Sequence, residues 1–272
     1  MANRASQLVL PLLLFLVSPL AGAQAPVQGA QPYVGQPGKD VIWVPTPPSL
    51  VEKMLDMAAV TAQDFVMDLG SGDGRNIIAA AKRGARAVGV EYDMDLVQVS
   101  RQRAADEGVG ELARFVQGDM FEADISRATV LALFLLPDNM RKLKAKFLGL
   151  RPGARIVTNG YEIDGWEPEE VGKLGGDCTS WCTAYLYIVP ANVAGTWRLP
   201  EGDLRLEQDF RKLSGTLTAN GQTLRIADAR LSGKRISFTA GMARYEGRVQ
   251  GNAMSGTVKG RSAGHWKAVR RS

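Results

Sequence analysis

Histidine is almost missing from this chain: among 272 residues there is one, His265. A His-based catalytic triad is thereby excluded unless His265 folds back onto a distant cleft, and no ligand spacing for a metal surrounds it, so no metal site is expected. Beside Trp266, His265 reads as strand surface. Cysteine is nearly as scarce, with Cys178 and Cys182 alone. Four residues apart, they are compatible with a short-range disulfide or with two independent thiols. Beyond the first two dozen residues no apolar run is long enough to span a bilayer as a helix. Charge of one sign does not dominate either, since 33 Lys and Arg against 28 Asp and Glu leave a net charge of only +5. The densest basic group, Arg141, Lys142, Lys144 and Lys146, falls on a predicted amphipathic helix with Met140, Leu143, Phe147 and Leu148 on its apolar side. No aromatic or groove-reading companions attend these cations, so a nucleic-acid partner is not expected. Mild positive charge suits anionic lipid or acidic partners, which leaves envelope or membrane-surface association open.

The first residues read as a targeting segment. Arg4 precedes the apolar run Leu8–Val17, and Ala21-Gly22-Ala23 supplies small residues where a signal peptidase cuts, so residues 1–23 are expected to be a signal peptide and the protein to be exported, in periplasmic fashion. The alternative is an uncleaved leader that anchors the chain to an inner membrane. Residues 24–40, rich in Gly, Pro and Gln, read as a flexible linker.

What the chain does have is the run Val66-Met67-Asp68-Leu69-Gly70-Ser71-Gly72-Asp73-Gly74-Arg75-Asn76, followed by Val88-Gly89-Val90-Glu91-Tyr92-Asp93. An apolar strand enters a glycine-dense turn, a helix leaves it, and an acid ends the next strand about 20 residues later, as a nucleotide-type crevice requires. Gly70, Gly72 and Gly74 can take positive φ and let a ligand approach the backbone, beside the unpaired N–H groups of a helix N-terminus. Glu91 can accept both hydroxyl protons of a ribose. A dinucleotide fingerprint would need glycine where Arg75 stands. Asp68 and Asp73 flank the turn instead, and two carboxylates suit a cationic ligand better than a dianionic one.

These residues resemble the first motif of the class I S-adenosylmethionine-dependent methyltransferases, acid-x-Gly-x-Gly-x-Gly. Phe115-Val116-Gln117-Gly118-Asp119-Met120-Phe121 resembles the family's third-strand end, and Ala132-Leu133-Phe134-Leu135-Leu136-Pro137 its fourth strand. The resemblance implies S-adenosylmethionine as methyl donor, with Asp68, Gly70, Ser71, Gly72, Asp73 and Gly74 around the methionine part, Glu91 and Tyr92 at the ribose, and Asp119 and Met120 at the adenine. With Val44-Pro45-Thr46 and Leu136-Pro137 as further substrate-side residues, the chain is loosely similar to the small protein-lysine methyltransferases related to the ATP synthase c-subunit enzyme. That likeness implies a protein lysine or other amine as acceptor, with a small molecule as the alternative. A second alternative is an exported binding protein that kept the fold without turnover. The sequence names no catalytic base, acceptor or oligomeric state.

Along the chain, Ser49 reads as the N-cap of a helix through Leu50, Val51, Met54, Leu55 and Ala58, either lying over the cofactor pocket or acting as a packing strut. From Phe65 the pattern alternates strand and helix: strand Phe65–Leu69, helix Arg75–Arg83, strand Ala87–Glu91, helix Met94–Glu107, strands Arg114–Gln117 and Thr129–Leu135, helix Met140–Leu148, strand Arg155–Asn159. Tyr161 to Asp177 reads as polar and irregular, and Thr183–Val189 as a strand. The expected fold over 41–190 is α/β, a doubly wound, mostly parallel, Rossmann-like sheet with ligand at the carboxyl ends of the strands. Short alternating stretches separated by turn dipeptides then predict a small antiparallel β domain over 195–272, as a meander or partial barrel.

Overall fold

Parallel pairing of five short apolar strands organises the first domain in the computed structural model, which describes residues 32–39, 42–176, 178–260 and 263–271. The sequence expectations for residues 1–23 and for most of 24–40 lie outside the described residues. The elements in order are α1 (Pro48–Met57), β1 (Phe65–Leu69), α2 (Arg75–Lys82), β2 (Arg86–Glu91), α3 (Met94–Asp106), β3 (Ala113–Gln117), β4 (Val130–Leu133), α4 (Pro137–Leu148), β5 (Arg155–Asn159), β6 (Glu170–Lys173) and β7 (Thr183–Ile188). They form a seven-stranded sheet of order β3-β2-β1-β4-β5-β7-β6. β1 to β5 are parallel, while β7 runs antiparallel to both β5 and β6. β1 pairs with β2 on one side and β4 on the other, so the switch point of the topology lies at its carboxyl end, where such sheets bind ligands.

The central strands are covered on both faces, as parallel strands require. α1, α2 and α3 bury Leu50, Met54, Ile77 and Val97 on one face. α4 buries Met140, Leu143 and Phe147 on the other, with Leu69, Leu131 and Leu133. Two helix starts differ from the sequence reading, for one reason. α1 begins at Pro48, capped by Pro47 without a side-chain bond, so Ser49 is not its N-cap. α4 begins at Pro137 rather than Met140. In each case a proline pre-set for the first helical position starts the helix before the polar or apolar pattern does. β6 falls within the segment read as irregular. It is an edge strand of four residues, three of them exposed, too short and too polar to announce itself.

The second unit departs further from expectation. β8 (Gly195–Leu199), β9 (Gly202–Asp209), β10 (Lys212–Ala219), β11 (Gln222–Ser232), β12 (Arg235–Ala240), β13 (Ala243–Gln250), β14 (Ala253–Lys259) and β15 (Gly264–Arg270) close into an eight-stranded barrel. Each strand pairs antiparallel with its sequence neighbour, and β15 returns to β8 through Val269↔Arg198 and Arg270↔Trp197. The connectivity is the meander expected, but it closes fully into an up-and-down barrel instead of remaining open or partial, and closure removes every sheet edge. The interior is packed with side chains, among them Trp197, Leu204, Phe238, Tyr245 and Trp266. Phe238 stacks on Tyr245 at 4.7 Å between ring centroids, with the Trp266 edge against both. His265 is exposed on β15, as the sequence suggested.

The barrel meets the first domain near the amino ends of the parallel strands. Ala191 donates its N–H to the Gly233 carbonyl at 2.8 Å, Phe210 stacks on buried Trp166 at 5.4 Å, and Arg211 pairs with Glu169 at 2.9 Å. Charge is divided unevenly: from residue 195 onward the sequence carries 15 Lys and Arg against 6 Asp and Glu. Among the described residues no helix is long and apolar enough to cross a membrane, and no group of His, Cys, Asp and Glu could hold a metal ion.

Candidate active site

The carboxyl ends of β1, β2 and β3 converge on a crevice lined by Asp68, Gly70, Ser71, Gly72, Asp73, Glu91, Tyr92, Asp119 and Met120. Of the ten residues proposed for the cofactor, Gly74 alone does not line it. Gly74 caps α2 in a left-handed conformation, φ +81°, and a Cβ there would strike the Phe115 ring at 2.7 Å, so its lack of a side chain serves the core behind the turn. Gly72 is the glycine that faces outward: at φ +55° its missing Cβ would lie 2.6 Å from the Trp43 indole nitrogen.

Glu91 is fixed in place by the glycine turn. Its carboxylate accepts from the Gly72 N–H at 2.8 Å and from the Asp93 N–H at 3.0 Å, which ties the end of β2 to the turn after β1. Two bonds leave lone pairs on each oxygen for hydroxyl donors. Asp68 is buried, accepts from the Asn76 amide at 3.0 Å through one oxygen, and has no partner for the other. Ser71 Oγ and Asn76 Oδ1 are likewise buried without partners. Orphaned buried polar atoms of this kind, all on residues lining one crevice, are what a polar ligand would satisfy. Burial first, and then the charges of Glu91 and Asp73, push the Asp68 carboxyl well above the usual carboxylate range, against the pull of the Asn76 hydrogen bond.

Asp73 has a different role from the one its position suggests. Arg75 grips it bidentately, Nε to Oδ1 at 2.9 Å and a terminal nitrogen to Oδ2 at 2.6 Å, and Arg103 adds a further bond. Burial opposes its ionisation, but the two guanidinium groups outweigh it and hold the carboxyl below its ordinary value. Its charge is therefore already compensated. The negative potential offered to a ligand comes first from Glu91, and Asp68 adds its charge once a cation set against it stabilises the carboxylate. Arg75 also donates to the Thr46 carbonyl at 2.6 Å, and its guanidinium lies 6.0 Å from the Trp43 ring centroid. These contacts draw residues 43–46 across the glycine turn.

Asp119 accepts from the Phe121 N–H at 2.9 Å and from Lys39 Nζ at 2.5 Å. The Lys39 bond, followed by that from Phe121, lowers its carboxyl below the usual range. Lys39 also stands 4.7 Å from the centroid of the exposed Tyr92 ring. Lys39, Ile42 and Trp43 thus border the crevice, whose free space is about 100 Å³. A second cavity of about 740 Å³ adjoins it, lined by Trp181, Leu174 and Cys178. Val44 and Pro45 line both cavities, while Thr46 and Phe134 line the first. Thr46 is buried and its hydroxyl accepts from the Asn159 amide at 3.2 Å. Leu136 and Pro137, proposed for the substrate side, line neither; Leu136 caps α4 and is exposed.

Several residues of the site were invisible in the sequence. Arg103 reaches Asp73 from 30 positions away, and Trp181 joins Phe134 and Tyr161 only through the sheet order. Cys178 and Cys182, for which bonded and free states were both open, form a disulfide.

Comparison with known proteins adds four findings. The family model of the ANTKMT methyltransferase domain matches residues 68–170, ending before the barrel begins. A protein-lysine N-methyltransferase of Saccharolobus islandicus is 43% identical over 152 residues, which is 55% of this chain and 94% of that protein. The human lysine N-methyltransferase of the ATP synthase c-subunit is 36% identical over 140 residues, covering 51% of this chain and 59% of the human one. Among solved structures, an RNA methyltransferase from Salinibacter ruber in complex with S-adenosyl-L-homocysteine superposes with a TM-score of 0.52 at 43% identity, over 55% of this chain and 96% of that one.

Proposed function

We propose that this enzyme methylates lysine side chains of a protein, proceeding from the premise that the chain belongs to the S-adenosylmethionine-dependent methyltransferase family that includes the Saccharolobus islandicus protein-lysine N-methyltransferase. When bound, S-adenosylmethionine supplies a methyl carbon already activated by the adjoining sulfonium. The residues of this chain have then to bind, align and exclude water. Glu91 would hold the ribose hydroxyls, Asp119 and Met120 the adenine, and Asp68 with the orphaned Ser71 and Asn76 oxygens the methionine end. Access requires Lys39 and Trp43 to move, since the space they leave is below the roughly 300–1,000 Å³ usual for small-molecule sites.

The observation that carries the acceptor reading is the cavity beyond the Val44–Pro45 wall, with Trp181 as its aromatic lining residue. Its Trp181 packs 5.1 Å from Phe134, which follows β4 and lines the crevice. Val44, Pro45 and Leu174 give the aliphatic stem of a lysine an apolar wall to lie along, and the Trp181 ring faces its amine. Relatives named for protein lysines support the same reading. To test it, the purified protein is given methyl-labelled S-adenosylmethionine and an extract of its own cells. Label that survives nuclease, is lost to protease and is recovered as methyl-lysine is expected. Label in RNA, in keeping with the name of the Salinibacter ruber relative, would overturn it.

Asp68 gives the site a pH signature. Because its folded pKa is raised, its contribution to stability is full below the ordinary carboxylate range and diminishes as pH rises through the raised value. A cationic group set against Asp68 stabilises the carboxylate. Between the ordinary and the raised pKa, binding of S-adenosylmethionine is therefore expected to release a proton. Calorimetry in buffers of different ionisation enthalpy should show that release, and Asp68→Asn should abolish it.

The working compartment is proposed to lie outside the cytosol. The leader-like opening and the Cys178–Cys182 disulfide support this, since disulfides persist in oxidising surroundings. Export would require S-adenosylmethionine to reach the enzyme there. Fractionation of cells carrying the full chain tests the proposal: the protein is expected in the periplasmic or membrane fraction, and recovery with cytosolic markers would refute it.

A further inference from the structure

The connection from β6 to β7 takes no part in the cofactor crevice, yet it is built with unusual constraint. Cys178 and Cys182 close a covalent loop around Thr179, Ser180 and Trp181. Within it Trp181 adopts φ +57°, a left-handed conformation that disfavours a large side chain and persists only where surrounding structure imposes it. The indole that results is aimed at the neighbouring strand ends. Its ring lies 5.1 Å from Phe134 and 5.3 Å from Tyr161, centroid to centroid. It also lies across Gly160, where any Cβ would come within 2.7 Å of it.

Three observations separate this ring from ordinary packing. It is only half-buried. It lines the cavity that shares the Val44–Pro45 wall with the crevice, while its partner Phe134 lines the crevice itself. Strain at a non-glycine residue, held by a cross-link and directed at a cavity beside Phe134 of the crevice, is the pattern found at working sites. An indole face attracts an alkylammonium more strongly than the other aromatic rings do, so a lysine side chain entering here meets its best apolar-faced cation partner.

We infer that Trp181 is the positioning residue for the acceptor, its ring forming the wall against which the incoming amine is held and the Cys178–Cys182 disulfide fixing the backbone that presents it. The inference rests on the lysine reading above. It is tested on the full chain saturated with S-adenosyl-L-homocysteine, by calorimetric titration with n-butyltrimethylammonium, which reproduces a methylated lysine side chain from the Cβ outward. The wild-type protein is expected to bind it. Trp181→Ala should weaken that binding about tenfold or more, and Trp181→Phe, which keeps a ring, about threefold or less. Affinity for S-adenosyl-L-homocysteine should stay within about twofold in both, and the Cys178→Ser/Cys182→Ser double variant should fall between Trp181→Ala and wild type in its ammonium binding. With n-butylamine as a methyl acceptor, Trp181→Ala should raise KM more than it lowers kcat. Absence of ammonium binding by the wild type would overturn the amine reading and this inference together. Binding that Trp181→Ala leaves unchanged would overturn the inference alone. So would loss of S-adenosyl-L-homocysteine affinity in both Trp181 variants, which would make the ring a structural support.

Discussion

Glu91→Ala is expected to weaken S-adenosylmethionine binding about 100-fold, some 2.7 kcal/mol, the scale of losing two charge-assisted hydrogen bonds at a partly buried site. The effect has two sources. The carboxylate offers lone pairs for ribose hydroxyls, and in the free protein it already accepts from the Gly72 and Asp93 N–H groups. Alanine removes the ligand contact and also releases the turn that shapes the crevice. Glu91→Gln should cost less, because the amide oxygen can still accept from one of the two N–H groups. Titration calorimetry on the three proteins checks both values. A loss under about threefold for alanine would mean that Glu91 organises nothing the ligand uses.

The largest effect on stability is expected from Trp197→Ala, at about 3–5 kcal/mol for the barrel. Trp197 is fully buried, donates its indole N–H to the Val193 carbonyl at 2.8 Å, and carries Arg270 stacked 4.4 Å above its ring. It sits on β8, the strand that closes the barrel against β15. Truncation therefore leaves a large void, an unpaired carbonyl and a loosened seam together. Denaturant unfolding should show the barrel transition moving to lower concentration. Cofactor affinity should stay within about twofold, since β8 lies at the end of the molecule away from the crevice and shares no partner with it. A shift under about 1 kcal/mol would mean that the interior collapses around the missing ring.

How far the sequence reached is a matter of which interactions are local. The turn from β1 to α2 and the acid ending β2 were legible because their pattern is confined to about 25 neighbouring residues, although the bond from the Gly72 N–H to Glu91 was not read from it. The alternating pattern also gave the parallel core, whose strand ends differ from the expected ones by at most two residues. Asp73 lines the crevice as expected, but that Arg75 folds back on it and Arg103 joins from α3 was not legible, because neighbouring in sequence does not say which way a guanidinium turns. The barrel was underestimated for a similar reason. Each hairpin was visible, but closure depends on one long-range pairing, Val269 with Arg198, between strands about 70 residues apart. Trp181 escaped notice because its partners are assembled by the placement of β7 beside β5, and because a polar loop conceals an aromatic ring from any periodicity.

The uneven distribution of charge has a consequence for how the molecule would meet a surface. Residues 195–272 carry a net +9, whereas the rest of the sequence sums to −4, and the positive part sits beyond the amino ends of the strands while the crevice opens at their carboxyl ends. The protein is thus an electric dipole aligned with its own sheet. An anionic lipid layer or polymer would capture it tail first and leave the reaction chamber pointing outward, an orientation that salt would randomise as screening removes the torque.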